Sequence, residues 1–277
     1  MRFGSPSPSA ERGANTPPAQ NGPRDSRPDH RRIRTEVLLV LGLSLGASAV
    51  YSIVTIVDRS TRATSLSSQK ATLNGALSDR EAFDLIYQFL GIFFDLVPVM
   101  LVAFLLWNAA TPHLSRLGID FRRPWHDALS GIGLALLIGI PGIALYLVGR
   151  AIGVTVAVNP SGLDSYWWTV PILLLSALRS ALQEEVIVIG YLFARLRDLG
   201  WGRWPIIIAA AVLRGSYHLY QGYGSFVGNL AMGLLFGWLY TRTRRVLPLV
   251  IAHFVIDAAV FVGYPWAASA FPGLFGG

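Results

Sequence analysis

The chain has 277 residues, of which 53% are hydrophobic and 14% charged, with a formal charge of +7 and a mean hydropathy of +0.48. That is too apolar for an ordinary soluble domain and too evenly spread for one signal peptide, so it points to a polytopic membrane protein. There is no cysteine, which excludes disulfides, thiol nucleophiles, cysteine metal sites and palmitoylation.

Residues 1–35 are rich in Pro, Ser and Gly, and set Arg2, Arg12, Arg24, Arg27, Arg31, Arg32 and Arg34 against Glu11, Asp25 and Asp29. Such a stretch cannot bury a core and reads as a disordered basic tail on the cytoplasmic side, with no nucleic-acid partner expected. Apolar runs then predict an all-α, polytopic membrane helical bundle of about seven transmembrane helices. They lie near 37–57, 82–107, 128–149, 168–194, 204–219, 225–240 and 246–264. The N-terminal transmembrane helices occupy 36–160, a core 161–265 and a short tail 266–277.

Alternate connections are basic: Arg116, Arg122 and Arg123 in the second, Arg195, Arg197 and Arg203 in the fourth, Arg242, Arg244 and Arg245 in the sixth. The third holds only Asp164 and the fifth no charge, so the positive-inside rule places the N-terminus in the cytoplasm and the C-terminus outside a cell membrane. Arg59, Arg62, Lys70 and Arg80, in the first connection, fit that pattern less well. Gly42/Gly46 and Gly233/Gly237 have the spacing that lets helix backbones approach closely, and Pro98, Pro141 and Pro171 kink or start spans. Asp84 reads as a solvated interfacial residue, Asp95 as a deeper contact to substrate or partner, and Arg179 as buried packing or a local ion partner.

Ionisable groups inside apolar segments are costly and usually mark a functional interior. Three segments carry them: Glu184-Glu185, then Arg214 and His218, then His253 and Asp257. At about 1.5 Å per residue, the glutamates, His218, His253, Asp257 and also Asn229 fall roughly 10–20 Å along their spans, at similar depth. His253 and Asp257 share one helical face, as do Arg214 and His218. Adjacent glutamates diverge by about 100°, so one can face a reaction site while the other holds structure.

A di-glutamate helix, a histidine helix, and a helix with His and a polar residue four later resemble the CAAX prenyl protease and bacteriocin-processing family. These intramembrane peptidases are also called the Abi or type II CAAX endopeptidase family. The resemblance covers roughly residues 165–265 and implies cleavage of a peptide bond in a membrane-embedded or lipid-modified peptide, prenylated or leader-type. The family pattern is Glu-Glu-xxx-Arg, Phe-xxx-His and His-xxx-Asn. Here Ile189 stands at the arginine position, Arg214 at the aromatic one and Asp257 at the asparagine. An arginine absent at 189 and present at 214 suggests that Arg214 supplies the charge that holds Glu185.

Hydrolysis needs a water, a base and donors for the oxyanion. Glu184 is the candidate base, with His218 orienting the water and His253 facing the oxyanion. An ionised Asp257 cannot donate, so it must be protonated, orient His253 or bind metal. Glu184, His218, His253 and Asp257 are ligand types that zinc accepts, although no HExxH is present. Arg214 and Asn229 are read as substrate or support residues, and the site is expected to open towards the cytoplasmic half. The alternatives are a catalytically silent membrane scaffold or immunity-type binding protein, and a small proton-coupled transporter.

Overall fold

The computed structural model describes Met1, residues 29–107 and residues 117–270, and its regular structure is almost entirely helical. Helix α1, His30–Gly42, starts where the Asp29 side chain accepts the Arg31 N–H at 2.9 Å, a side-chain cap of the usual kind. The expected disordered tail is thus corrected over residues 30–35, which are helical, while residues 2–28 lie outside the described residues. Helix α2, Leu45–Ser60, follows at a bend of 56°, so the single span expected over 37–57 is a broken pair. A Cβ at Gly46 would lie 2.7 Å from the Leu41 carbonyl oxygen, so this glycine serves the bend, not a neighbouring helix. Gly42 faces open space.

The chain continues through β1 (Lys70–Gly75), α3 (Glu81–Asp95), α4 (Val97–Leu105), α5 (Pro124–Ala151) and β2 (Ala157–Gly162). Helix α6 (Thr169–Glu184) runs through a π-helical stretch, Glu185–Tyr191, into α7 (Leu192–Asp198). Then come α8 (Arg203–Tyr217), α9 (Tyr223–Thr243), α10 (Leu247–Ala258), a π turn at Ala259–Gly263 and α11 (Tyr264–Ala270). Pro98 lies in the first turn of α4 and Pro141 lies inside α5.

The all-α expectation needs one correction. β1 and β2 pair in parallel, from Lys70 opposite Ala157 to Gly75 opposite Gly162. The basic first connection is therefore an ordered cap, in which Arg62 pairs with Asp58 and Arg59 donates to the Lys70 carbonyl at 3.2 Å. Asp84 is not a solvated interfacial residue either. It is 2% exposed and accepts from the Leu77 N–H at 2.8 Å, tying the strand exit to α3.

These contacts sort the connections by end. Thr155 bridges Gly222 in an antiparallel pair, so the first, third and fifth connections gather at one end. At the other end the Val246 N–H donates to the Leu117 carbonyl, and Arg245 reaches Asp120 at 3.0 Å and Asp127 at 2.5 Å. The Arg245 guanidinium and the Arg122 N–H hold the Asp120 carboxyl below its usual range. This end carries Arg122, Arg123, Arg244 and Arg245, the cations of alternate loops.

Among the described residues three helices are long and apolar enough to cross a membrane, Glu81–Leu105, Pro124–Ala151 and Leu247–Trp266, or four if the bent α1–α2 pair is one span. In the first two, only 11% of the apolar window is buried within the protein. Apolar surface left outside on that scale belongs against lipid, consistent with a multi-pass membrane protein. The expected spans over 168–194, 204–219 and 225–240 are helical but are not among those helices: the first carries Arg179, Glu184 and Glu185, and α8 in the second has only 15 residues.

Helix α9 lies along α8, and α10 packs against α5 and α6. A Cβ at Gly233 would come within 2.8 Å of Ala211 Cα, and one at Gly237 within 3.0 Å of the Phe193 ring. The Gly233/Gly237 spacing therefore allows the close approach that seats Arg214 of α8 in the interior.

Candidate active site

Glu184 ends α6, and Glu185 opens the π-helical stretch, in which every residue is buried. A π turn adds a residue per turn to the helix wall, a local departure found mostly at functional sites. Arg214, in the last turn of α8, is 0% exposed and lies between the two carboxylates. Its NH2 pairs with Glu185 Oε1 and donates to Glu184 Oε2 at 3.1 Å, while its NH1 stands 3.4 Å from Glu185 Oε2. The Phe236 ring centroid is 5.3 Å from the guanidinium carbon and covers its face.

His253 enters from α10. Its Nδ1 lies 2.8 Å from Glu185 Oε1, and an ionised carboxylate only accepts, so Nδ1 carries the proton in that pair. Its Nε2 faces Asp257 Oδ2 at 3.5 Å, one turn along the same helix. His218 caps the C-terminal end of α8 with Nε2 3.8 Å from Glu184 Oε2. That nitrogen is buried and has no hydrogen-bond partner among the described residues.

The structure thus brings together Glu184, Glu185, Arg214, His218, His253 and Asp257. Asn229 is not brought in: its amide donates to Ser225 O at 3.0 Å within α9, the ordinary fate of a polar side chain that finds its own helix backbone first. Arg179 pairs with Asp95, so the two weaker candidates partner each other. Sequence reasoning missed Tyr217, whose hydroxyl donates to Glu184 Oε2 at 2.8 Å. The available signal was its place directly before His218, but a tyrosine at a helix end reads first as an interfacial anchor.

Arg214 also bears on the zinc expectation. Among the described residues no group of three or more His, Asp or Glu side chains is arranged to hold a metal ion. The space between Glu184, Glu185 and His253 Nδ1 is filled by the guanidinium, which is 3.1 Å from that nitrogen. Among the described residues the set Glu184, His218, His253 and Asp257 forms no such group, and the glutamate-facing side of His253 is held by Arg214.

Fold and site together define a class: a helical membrane protein with paired carboxylates and one histidine buried in its interior and a second histidine at the edge of it. Residues 166–259, about a third of the chain, match the family described as "Type II CAAX prenyl endopeptidase Rce1-like". That segment is a domain of this family of membrane proteases, and it contains every member of the cluster. No curated protein and no solved structure matches the chain.

Tyr217→Phe keeps the ring and deletes one hydrogen bond to a buried carboxylate. The expected loss of unfolding free energy is about 1.5–3 kcal/mol, read by denaturation in detergent. An unchanged stability would separate that hydroxyl from Glu184.

Proposed function

We propose that the protein is an intramembrane endopeptidase in which Glu184 takes a proton from water. The observation that carries this is the buried, unpartnered His218 Nε2, 3.8 Å from Glu184 Oε2. That is too long for a direct hydrogen bond and suits a water shared by the two groups. Arg214 and Tyr217 also donate to Oε2, and the proton passes from the shared water to the Glu184 carboxylate. The water oxygen then bonds to the scissile carbonyl carbon and the π electrons move to the carbonyl oxygen. His253, with Nδ1–H fixed by Glu185, presents Nε2 to that oxyanion when the ring carries both protons, and Asp257 orients the ring. Collapse of the adduct breaks the C–N bond, and Glu184 returns its proton to the leaving amine.

Seven crossings complete the proposal. Of the helices around the site, α6 and its π stretch carry Arg179, Glu184 and Glu185 and α8 has 15 residues, and the grouping of odd connections at one end and even ones at the other supports alternate crossing. By the positive-inside rule the arginine-rich end is cytoplasmic. A reporter inserted at 242–245 is then expected to behave as cytoplasmic and one after Gly277 as extracytoplasmic; the same face for both would reject this topology. His218 and Asp257, 18% and 20% exposed against 0% for Glu185 and Arg214, end helices that begin at the basic end. This replaces the expected cytoplasmic opening: substrate reaches the site from the end that carries β1 and β2.

The substrate class is a membrane-embedded or lipid-modified peptide. The test is cleavage of a panel of such peptides, with and without a lipid group, by purified protein in liposomes. Wild type is expected to yield discrete products with or without chelator, and Glu184→Ala none. Equal cleavage by both would remove Glu184 from the mechanism, and no cleavage by either would overturn the proposal in favour of a non-catalytic binding role.

A further inference from the structure

At the basic end, away from the cluster, a cavity of about 160 Å³ lies between α7, α8 and the turn after α9. It is about five times the ≈ 30 Å³ share of one water. Arg197, Arg203 and Arg244 line it, with Phe193, Ile206, Trp201 and Thr241 as its other walls, and no carboxylate does. None of the three arginines has an acidic partner among the described residues. Nearby Asp198 is taken by Arg195, at 3.2 Å. Three guanidinia from three elements facing one concavity repel each other unless an anion joins them.

Two further observations point the same way. Arg244 holds φ at 56°, a left-handed helix end that glycine adopts with less strain, so a side chain is kept there against local preference. Trp201 lines the cavity, and it and Trp204 and Trp238, on the two helices that flank it, are exposed, the pattern of side chains at headgroup depth. Arg203 lies over the Trp204 ring, at 5.6 Å from its centroid.

We propose that this cavity binds a phosphate-bearing anion, the headgroup phosphate of an anionic lipid, through Arg197, Arg203 and Arg244. Arginine forks match phosphate oxygens in pairs, and the buried Phe193 and Ile206 give the floor an apolar surface for the glycerol end. The site is independent of hydrolysis and does not rest on it.

The test is native mass spectrometry of the full chain in a neutral detergent, titrated with short-chain phosphatidic acid, with phosphatidylcholine and with inorganic phosphate. One phosphatidic acid is expected to be retained in preference to phosphatidylcholine. Arg197→Gln with Arg244→Gln should raise its Kd about tenfold or more, at roughly 1 kcal/mol per interfacial arginine. Arg203→Gln alone, a milder change at an exposed position, should raise it by a smaller factor. Arg122→Gln with Arg123→Gln removes the same charge from the same end outside the cavity and should leave binding unchanged. Equal weakening by both pairs, or none by the cavity pair, would overturn the proposal. Inorganic phosphate that binds as tightly as the lipid would retain the anion site and reject the lipid as its source.

Discussion

Arg214→Met is expected to destabilise the protein by about 3–5 kcal/mol, because it leaves two interior carboxylates without their cation. Glu185 is 0% exposed and Glu184 7%, so neither can recover hydration where it stands. Methionine preserves most of the apolar contact with Phe236, and the loss is therefore electrostatic. Adding Glu185→Gln to Arg214→Met should restore a large part of the stability, since the amide needs no counter-charge. Denaturation of the wild type, the two single variants and the double variant forms a cycle whose coupling energy measures the pair. A double variant as unstable as Arg214→Met would mean that Glu185 does not depend on Arg214.

That pair is legible in the amino-acid sequence because charge has to balance in an apolar interior. Ile189 stands where the related motif has an arginine, and the fold buries it completely. The next helix supplies a guanidinium at 214, and the packing of α8 against the π-helical stretch closes the pair. Helix existence and the order of the three motif segments are legible for a similar reason, since long apolar runs and depth counts are local properties.

Other parts are not. The strands Lys70–Gly75 and Ala157–Gly162 are short, only the first alternates, with Ala71 and Leu73 between polar residues, and they find each other only across the fold. Asp84 reads as solvated because a charge near a span end usually is, yet a backbone N–H from the strand exit draws it inward. Asn229 lies at the right depth but on a helix that satisfies its amide locally. Depth along an axis says nothing about rotation around it, and that second coordinate decides which side chains meet.

The sharpest chemical test is Glu184→Gln. The amide keeps the size and the acceptor oxygen that meets Tyr217 and Arg214, but it cannot take a proton from water. Turnover should fall by at least about 100-fold, the lower end of what a positioned general base contributes. Folding should persist, because Glu185 remains to balance Arg214. Asp257→Asn should do far less. If Asp257 only orients His253, the asparagine oxygen takes the same place one turn from Nε2, and turnover should stay within about tenfold of wild type, the cost of weakening one polar contact. Both variants are to be assayed in one liposome preparation with product release followed directly, and with melting temperatures measured alongside. Full turnover in Glu184→Gln would remove the base from the mechanism. A collapse in Asp257→Asn that added zinc reverses would make Asp257 a ligand.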